Sequence, residues 1–201
     1  EGGNYAITTT EGDLAVSNRD AAYEVTVTAN STTATYDGTK KSASGFVGET
    51  EQGVPVTANG QTFYVTGLTS SAEGSNVSDS VAAIPVTGTA VVKDAAGNDV
   101  TNQFNVKATA GSLTINKRSV TLTSATDSKP YDGTALTNHN VTVGGDGFIE
   151  GHGATYSFTG SQTLVGNSAN AFTYTLTGEG CTEGEGGNYA ITTTEGDLAV
   201  S

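Results

Sequence analysis

Apolar and polar residues alternate in short runs along this chain. Tyr23-Glu24-Val25-Thr26-Val27-Thr28 puts every second residue on one apolar face, and Ser119-Val120-Thr121-Leu122-Thr123 does the same. A period of two predicts a half-buried β-strand, because successive side chains point to opposite faces. Residues 54–58 and 61–65 flank Asn59-Gly60 and read as a β-hairpin. Asn-Gly supplies the two positive-φ residues of a type I′ turn. That register sets Val56 opposite Phe63 and Val54 opposite Val65 on one face. Residues 90–92 read as a strand entering the loop 93–99, and residues 154–159, 164–165 and 171–177 alternate again. Phe104/Val106 with Leu113/Ile115, and Tyr189/Ile191 with Leu198/Val200, are expected to form closing hairpins. Residues 70–83 have a faintly helical pattern, but Gly74 and the Ser/Asn content predict a loop.

The pattern repeats. Residues 1–17 and 185–201 are identical at every position, EGGNYAITTTEGDLAVS, at an offset of 184. This is one full period plus an overlap, and it predicts a parent array of nearly identical copies. A weaker repeat lies inside the period. Tyr36-Asp37-Gly38-Thr39 returns as Tyr131-Asp132-Gly133-Thr134, with Val25 and Val27 matching Val120 and Leu122 at the same offset of 95. The segment 74–80 resembles 160–168, and Phe104-Asn105-Val106 … Gly111-Ser112-Leu113-Thr114-Ile115 matches Tyr189-Ala190-Ile191 … Gly196-Asp197-Leu198-Ala199-Val200. The expected organisation is therefore 1–17 as the closing hairpin of a preceding copy, then two related domains, 18–117 and 118–201. Asn116-Lys117-Arg118 is the junction; so short a joint predicts a stiff, end-to-end arrangement. Domains of about 85–100 residues bury only roughly 60–65% of their unfolded surface, so their cores are thin. The fold expected is all-β: two small tandem sandwiches of immunoglobulin-like type, with β-grasp-like sheets as the alternative.

Composition narrows the function. The chain has 201 residues, 27 Gly, about 35 Thr, no Trp and no Met. Eight Lys and Arg against 21 Asp and Glu give a net charge of −13, which disfavours nucleic acid and anionic membranes as partners. The start is not a signal peptide, and no apolar run is long enough for a transmembrane helix. The absence of an initiating Met is taken as the mark of an excised piece. One cysteine, Cys181, allows neither an intrachain disulfide nor a Cys-based zinc site.

The Tyr-Asp-Gly-Thr signature, the G-S-x(2–3)-V-x-[DN]-S segment and the closing N-Y-x-I-x(4)-G-x-L-x-V pattern together resemble the YDG/MBG-type repeat domains of bacterial surface proteins. The resemblance is stronger over 118–201 than over 18–117, where Phe104 stands in place of Tyr189 and the middle is longer. It implies an extracellular, non-catalytic building block of a cell-surface adhesin or secreted filament. It carries no catalytic residues or cofactor. Its implied partners are neighbouring copies head to tail, with host glycans bound through other regions.

Candidate chemistry is sparse. In Tyr36-Asp37-Gly38 and Tyr131-Asp132-Gly133 the Asp could serve a cation site; equally, Asp caps a tight turn, Gly takes positive φ and Tyr packs on the sheet. Asp94, Asn98 and Asp99 in one loop, and Asp146 and Glu150 in another, are the calcium candidates. Neither loop has the EF-hand order, and solvated acidic loops are the competing reading. His139 and His152 have no acid–base constellation around them and are expected at the surface. Gly144-Gly145-Asp146-Gly147 lacks the Lys and the helix of a phosphate loop. Cys181, in an acidic glycine-rich loop, is expected to be exposed, as a free thiol or an interchain disulfide. Lys107 is the best strand position for a Lys–Asn isopeptide bond, which requires a buried Lys. Asn30, Asn76 and Asn140 stand in N-x-[ST] sequons and are expected bare.

The duplicated end adds one expectation. Tyr5, Ile7, Leu14 and Val16 form the same apolar stripe as Tyr189, Ile191, Leu198 and Val200. Either copy could complete one domain, which predicts strand exchange between copies. A glycan- or mucin-binding module, calcium-dependent in one version, is the alternative function; the absence of Trp and the scatter of Tyr disfavour it.

Overall fold

A computed structural model describes residues 8–12 and 21–201 of the protein. Tyr5, Ile7, Leu14 and Val16, with most of the expected hairpin 1–17, lie outside the described residues. The described chain is all-β, with two single-turn 3-10 segments at Val77–Asp79 and Thr101–Gln103.

Among the described residues, nine strands precede Lys117: β1 (Tyr23–Thr28), β2 (Thr32–Thr35), β3 (Lys41–Ser44), β4 (Val54–Ala58), β5 (Gln61–Gly74), β6 (Val81–Ile84), β7 (Val86–Lys93), β8 (Phe104–Thr109) and β9 (Gly111–Asn116). Eight follow it: β10 (Arg118–Ser124), β11 (Asp127–Lys129), β12 (Val141–Gly145), β13 (Gly153–Phe158), β14 (Gly166–Ala169), β15 (Phe172–Thr177), β16 (Tyr189–Thr194) and β17 (Asp197–Val200). Every strand pairing between named strands stays on its own side of Lys117.

The Asn59-Gly60 hairpin forms in the expected register. Val54 faces Val65 and Val56 faces Phe63 across β4 and β5. Asn59 and Gly60 sit at φ 48° and 74°, the pair of positive values that the turn requires. Further along, β5 changes register against β7 between Thr66 and Leu68. The backbones touch there: a Cβ on Gly67 would lie 2.3 Å from the Thr89 carbonyl oxygen, and one on Gly88 2.2 Å from that of Gly67. Only glycine fits both sides of this bulge.

The expected closing hairpins are not hairpins. A single residue, Ala110, separates β8 from β9, too few to reverse the chain. Instead β8 pairs in parallel with β1, and β9 in parallel with β2. The same arrangement recurs after Lys117, with β16 parallel to β10 and β17 parallel to β11. Glu195-Gly196 has the length of a hairpin loop, but Gly196 does not take positive φ. In each set the first two and last two strands run side by side and bend together from one sheet into the next. The bend explains why Gly111 and Gly196 correspond. A Cβ at Gly111 would come 2.0 Å from the Asn30 carbonyl oxygen, and one at Gly196 2.5 Å from that of Ser124.

Two further expectations change. Most of 70–83 is strand: β5 runs to Gly74 and β6 starts at Val81, leaving only a short turn capped by the Asp79 carboxylate. Leu164 and Val165 lie in a bend before β14 rather than in a strand.

Among the described residues the core falls into three clusters. Val25, Val27, Val54, Val56, Val65, Val92 and Phe104 close the first, between β1/β8 and β4/β5/β7. Leu136, Leu198 and Val200 make a small cluster at the far end. The remaining cluster crosses Lys117: Tyr36, Ala43, Ile84, Leu113 and Ile115 pack with Val120, Leu122, Cys181 and Tyr189. Pairing thus divides at one residue while apolar packing runs through it.

Candidate functional site

The best-built constellation in the described chain is this joint. Its first element is the turn after β2. Tyr36 donates its backbone N–H to the Asn116 carbonyl (2.8 Å), which holds the turn against the end of β9. Asp37 Oδ1 accepts from the Thr39 N–H (2.9 Å) and hydroxyl (2.6 Å), while Oδ2 meets Lys41 Nζ at 2.6 Å. Gly38 takes φ 77°. The carboxylate is therefore engaged in the turn on both oxygens, as the Asx-turn reading expects. The second copy repeats it: Asp132 Oδ1 accepts from the Thr134 N–H (2.9 Å) and hydroxyl (2.7 Å) and from Lys129 Nζ (2.8 Å), with Gly133 at φ 78°. The lysine hydrogen bond, then the threonine hydroxyl and amide, hold both carboxyls well below the ordinary Asp range.

The two tyrosines part company. Tyr36 is 4% exposed and Tyr131 54%, so packing of the second Tyr on its sheet is corrected. Tyr36 is buried because residues beyond Lys117 cover it. Its ring meets Tyr189 edge-on at 5.5 Å and stacks on His152 at 6.3 Å. Gly38 lies under Ile149, where a Cβ would sit 2.8 Å from Ile149 Cδ1. Burial raises the Tyr36 phenol above its ordinary pKa.

A polar pin stands beside the rings. Asn188, 3% exposed, accepts the Val77 N–H on Oδ1 (2.9 Å) and donates from Nδ2 to Asn76 Oδ1 (3.0 Å) and the Gly180 carbonyl (3.1 Å). Its carbonyl takes the Arg118 N–H at 2.9 Å. Lys117 Nζ donates to the Gly184 carbonyl, and Arg118 donates from Nε to the Gly147 carbonyl (2.7 Å) and from Nη2 to that of Asp146 (2.5 Å). Both basic residues of the junction are strapped to loops of the following strand set.

His152 and Cys181 belong here rather than at the surface. His152 is half-buried; Nδ1 shares a hydrogen bond with the Tyr189 hydroxyl (2.9 Å) and Nε2 one with the Glu179 carbonyl (2.8 Å). Cys181 is 8% exposed, its Sγ 3.8 Å from the Gly153 carbonyl oxygen. Burial is the main cause that lifts its thiol pKa, ahead of the charge of Glu183. Asn188 does not stand out in the sequence except by its position just before Tyr189, in a segment present twice, and His152 stands out only as one of two histidines.

The other candidates do not converge. Asp94 holds its own loop: Oδ1 accepts the Ala96 and Asn98 N–H groups and Oδ2 the Asn98 side chain, each at 2.9 Å. Asp99 Oδ1 accepts the Thr101 N–H at 2.9 Å, and Asp146 Oδ2 the Ser119 N–H at 3.2 Å. Glu150 is exposed. No group of three or more His, Cys, Asp or Glu able to hold a metal occurs among the described residues. His139 is exposed and stacks on Phe158 at 5.0 Å. Lys107 is two-thirds exposed and pairs with Glu24 at 2.9 Å, which removes the burial an isopeptide bond needs. Of the apolar stripe, Tyr189, Leu198 and Val200 are buried and Ile191 is partly buried within this chain.

No family model, curated protein or solved structure matches this chain.

Proposed function

We propose that this chain is a structural repeat of an extracellular bacterial surface protein, two small β units in series that hold other regions away from the cell. One observation carries the reading: strand pairing divides at Lys117, yet one apolar cluster and the Asn188 hydrogen bonds run through the division. Such a joint transmits orientation from one unit to the next. The resemblance to YDG/MBG-type repeats and the identity of 1–17 with 185–201 support the serial and extracellular parts of the reading. Between chains, the proposal is strand exchange: residues 185–201 supply β16 and β17, and 1–17 has the sequence to take their places in a neighbour. Assembly that survives deletion of 1–17 contradicts that part.

The test is length. Chains with residues 18–201 repeated once and twice after Ser201 are compared with the single chain by small-angle X-ray scattering. The reading expects the maximum dimension to grow by a constant increment per period. Growth with the cube root of mass, or glycan binding by the single chain on an array, contradicts it.

A further inference from the structure

Three of the five large apolar side chains exposed among the described residues lie at one end: Tyr131 (54%), Leu164 (69%) and Val165 (68%). They flank the last residues of β17 from both sides. The Tyr131 N–H donates to the Ser201 carbonyl at 2.7 Å, and Gly166, next to Val165, pairs with Val200.

The same positions in the first strand set are occupied and covered. Tyr36 donates to Asn116 as Tyr131 does to Ser201. Val81 pairs with Leu113 as Ser168 pairs with Leu198, and four residues back from each stand Val77 and Leu164. Tyr36 is buried under Tyr189 and His152, and Val77 packs on the joint cluster with its N–H on Asn188. Among the described residues, the far end therefore presents the lower half of a joint with no upper half packed against it.

We infer that this end is the docking face for the next copy of the 18–117 unit, in the geometry of the internal joint. The inference rests on the serial reading above. The occupant follows from the duplication: Val16-Ser17 leads into Asn18, and Val200-Ser201 is its identical counterpart. The upper half follows from the register. Tyr189 pairs with Arg118 as Phe104 pairs with Tyr23, so Gln103 and Phe104 of the following copy take the places of Asn188 and Tyr189. Phe104, buried in its own unit against Tyr23 and Phe63, turns only its remaining exposed edge to the Tyr131 ring, and the Gln103 side-chain oxygen accepts the Leu164 N–H. An aromatic pair at such a spacing adds to the area it buries. The face buries apolar surface that a lone unit leaves in water.

The test compares the 201-residue chain with a chain in which residues 18–201 follow Ser201 once more, by amide hydrogen exchange at a concentration where both are monomeric. The expected result is that exchange at Leu164 in the first copy slows about tenfold or more in the longer chain. Nitration of Tyr131 by tetranitromethane falls in parallel. Tyr131→Ala in the first copy returns Leu164 to its fast rate and leaves the 201-residue chain unchanged. Equal exchange and nitration in the two chains overturns the inference. Scattering on the same samples separates the two failures: if the longer chain is extended by one increment, the serial reading stands without this joint; if it is not, both fall.

Discussion

The carboxyls of Asp37 and Asp132 sit well below the ordinary value of about 3.8 in the folded chain, first through Lys41 and Lys129 and then through their threonines. A folded pKa below the unfolded one means that the unfolded state takes up the proton more readily. This stability is present above pH 3.8 and is lost as pH falls towards the folded values. Titrating Tm downward from neutral pH, an Asp37→Asn/Asp132→Asn chain is expected to melt below wild type, with the gap closing under about pH 3; parallel curves contradict this. Tyr36 and Tyr131 share a motif but not an environment. Tyr36→Ala is expected to cost about 3–5 kcal/mol in urea unfolding, as removal of a buried aromatic does. Tyr131→Ala in the single chain stays within about 0.5 kcal/mol. Cys181 should react with a thiol reagent only as fast as the chain opens; labelling at the rate of a model thiol contradicts its burial. The turn residues are legible in the sequence because Asp, Gly and Thr settle their conformation locally. The fate of the two tyrosines is not, since it depends on residues far along the chain. The neighbourhood of Cys181 misleads for the same reason: an acidic glycine-rich loop says nothing of the Tyr36 cluster that buries the thiol.

At the scale of elements, the hairpin at Asn59-Gly60 is readable to the residue, because two positive-φ positions fix both turn and register. The ends of the strand sets are not. Phe104/Val106 and Leu113/Ile115 alternate as hairpin arms would, but their partners, β1 and β2, stand far back in sequence and run parallel. Alternation reports which face is buried, not which strand is adjacent. The glycines at the bends do carry a signal, as Gly111 and Gly196 recur at matching positions. Gly111→Ala and Gly196→Ala are each expected to destabilise by about 1–3 kcal/mol in urea unfolding, because the methyl meets backbone that cannot retreat. Gly12, with nothing within 4 Å of a Cβ, serves as the control, and Gly12→Ala should be near neutral. The polar strands β2, β3 and β14 escape notice because a Ser/Thr/Ala run carries little alternation.

For the whole molecule, the internal repeat predicts a junction at Asn116-Lys117-Arg118, and the pairings between named strands do not cross Lys117. What the sequence does not reveal is how much the division is bridged. Asn188 reaches Asn76 and Val77, 112 and 111 residues away, and the joint cluster draws on both sides. With one of its two main apolar clusters shared across Lys117, the chain is expected to unfold in one calorimetric transition; two resolved transitions contradict a shared core. The most direct test of the account is whether residues 23–116 and 118–200 tumble as one body. Residual dipolar couplings measured on the 201-residue chain are predicted to fit a single alignment tensor across both sets; two tensors of different magnitude or orientation would mean a hinge at Lys117 and would contradict the stiff joint.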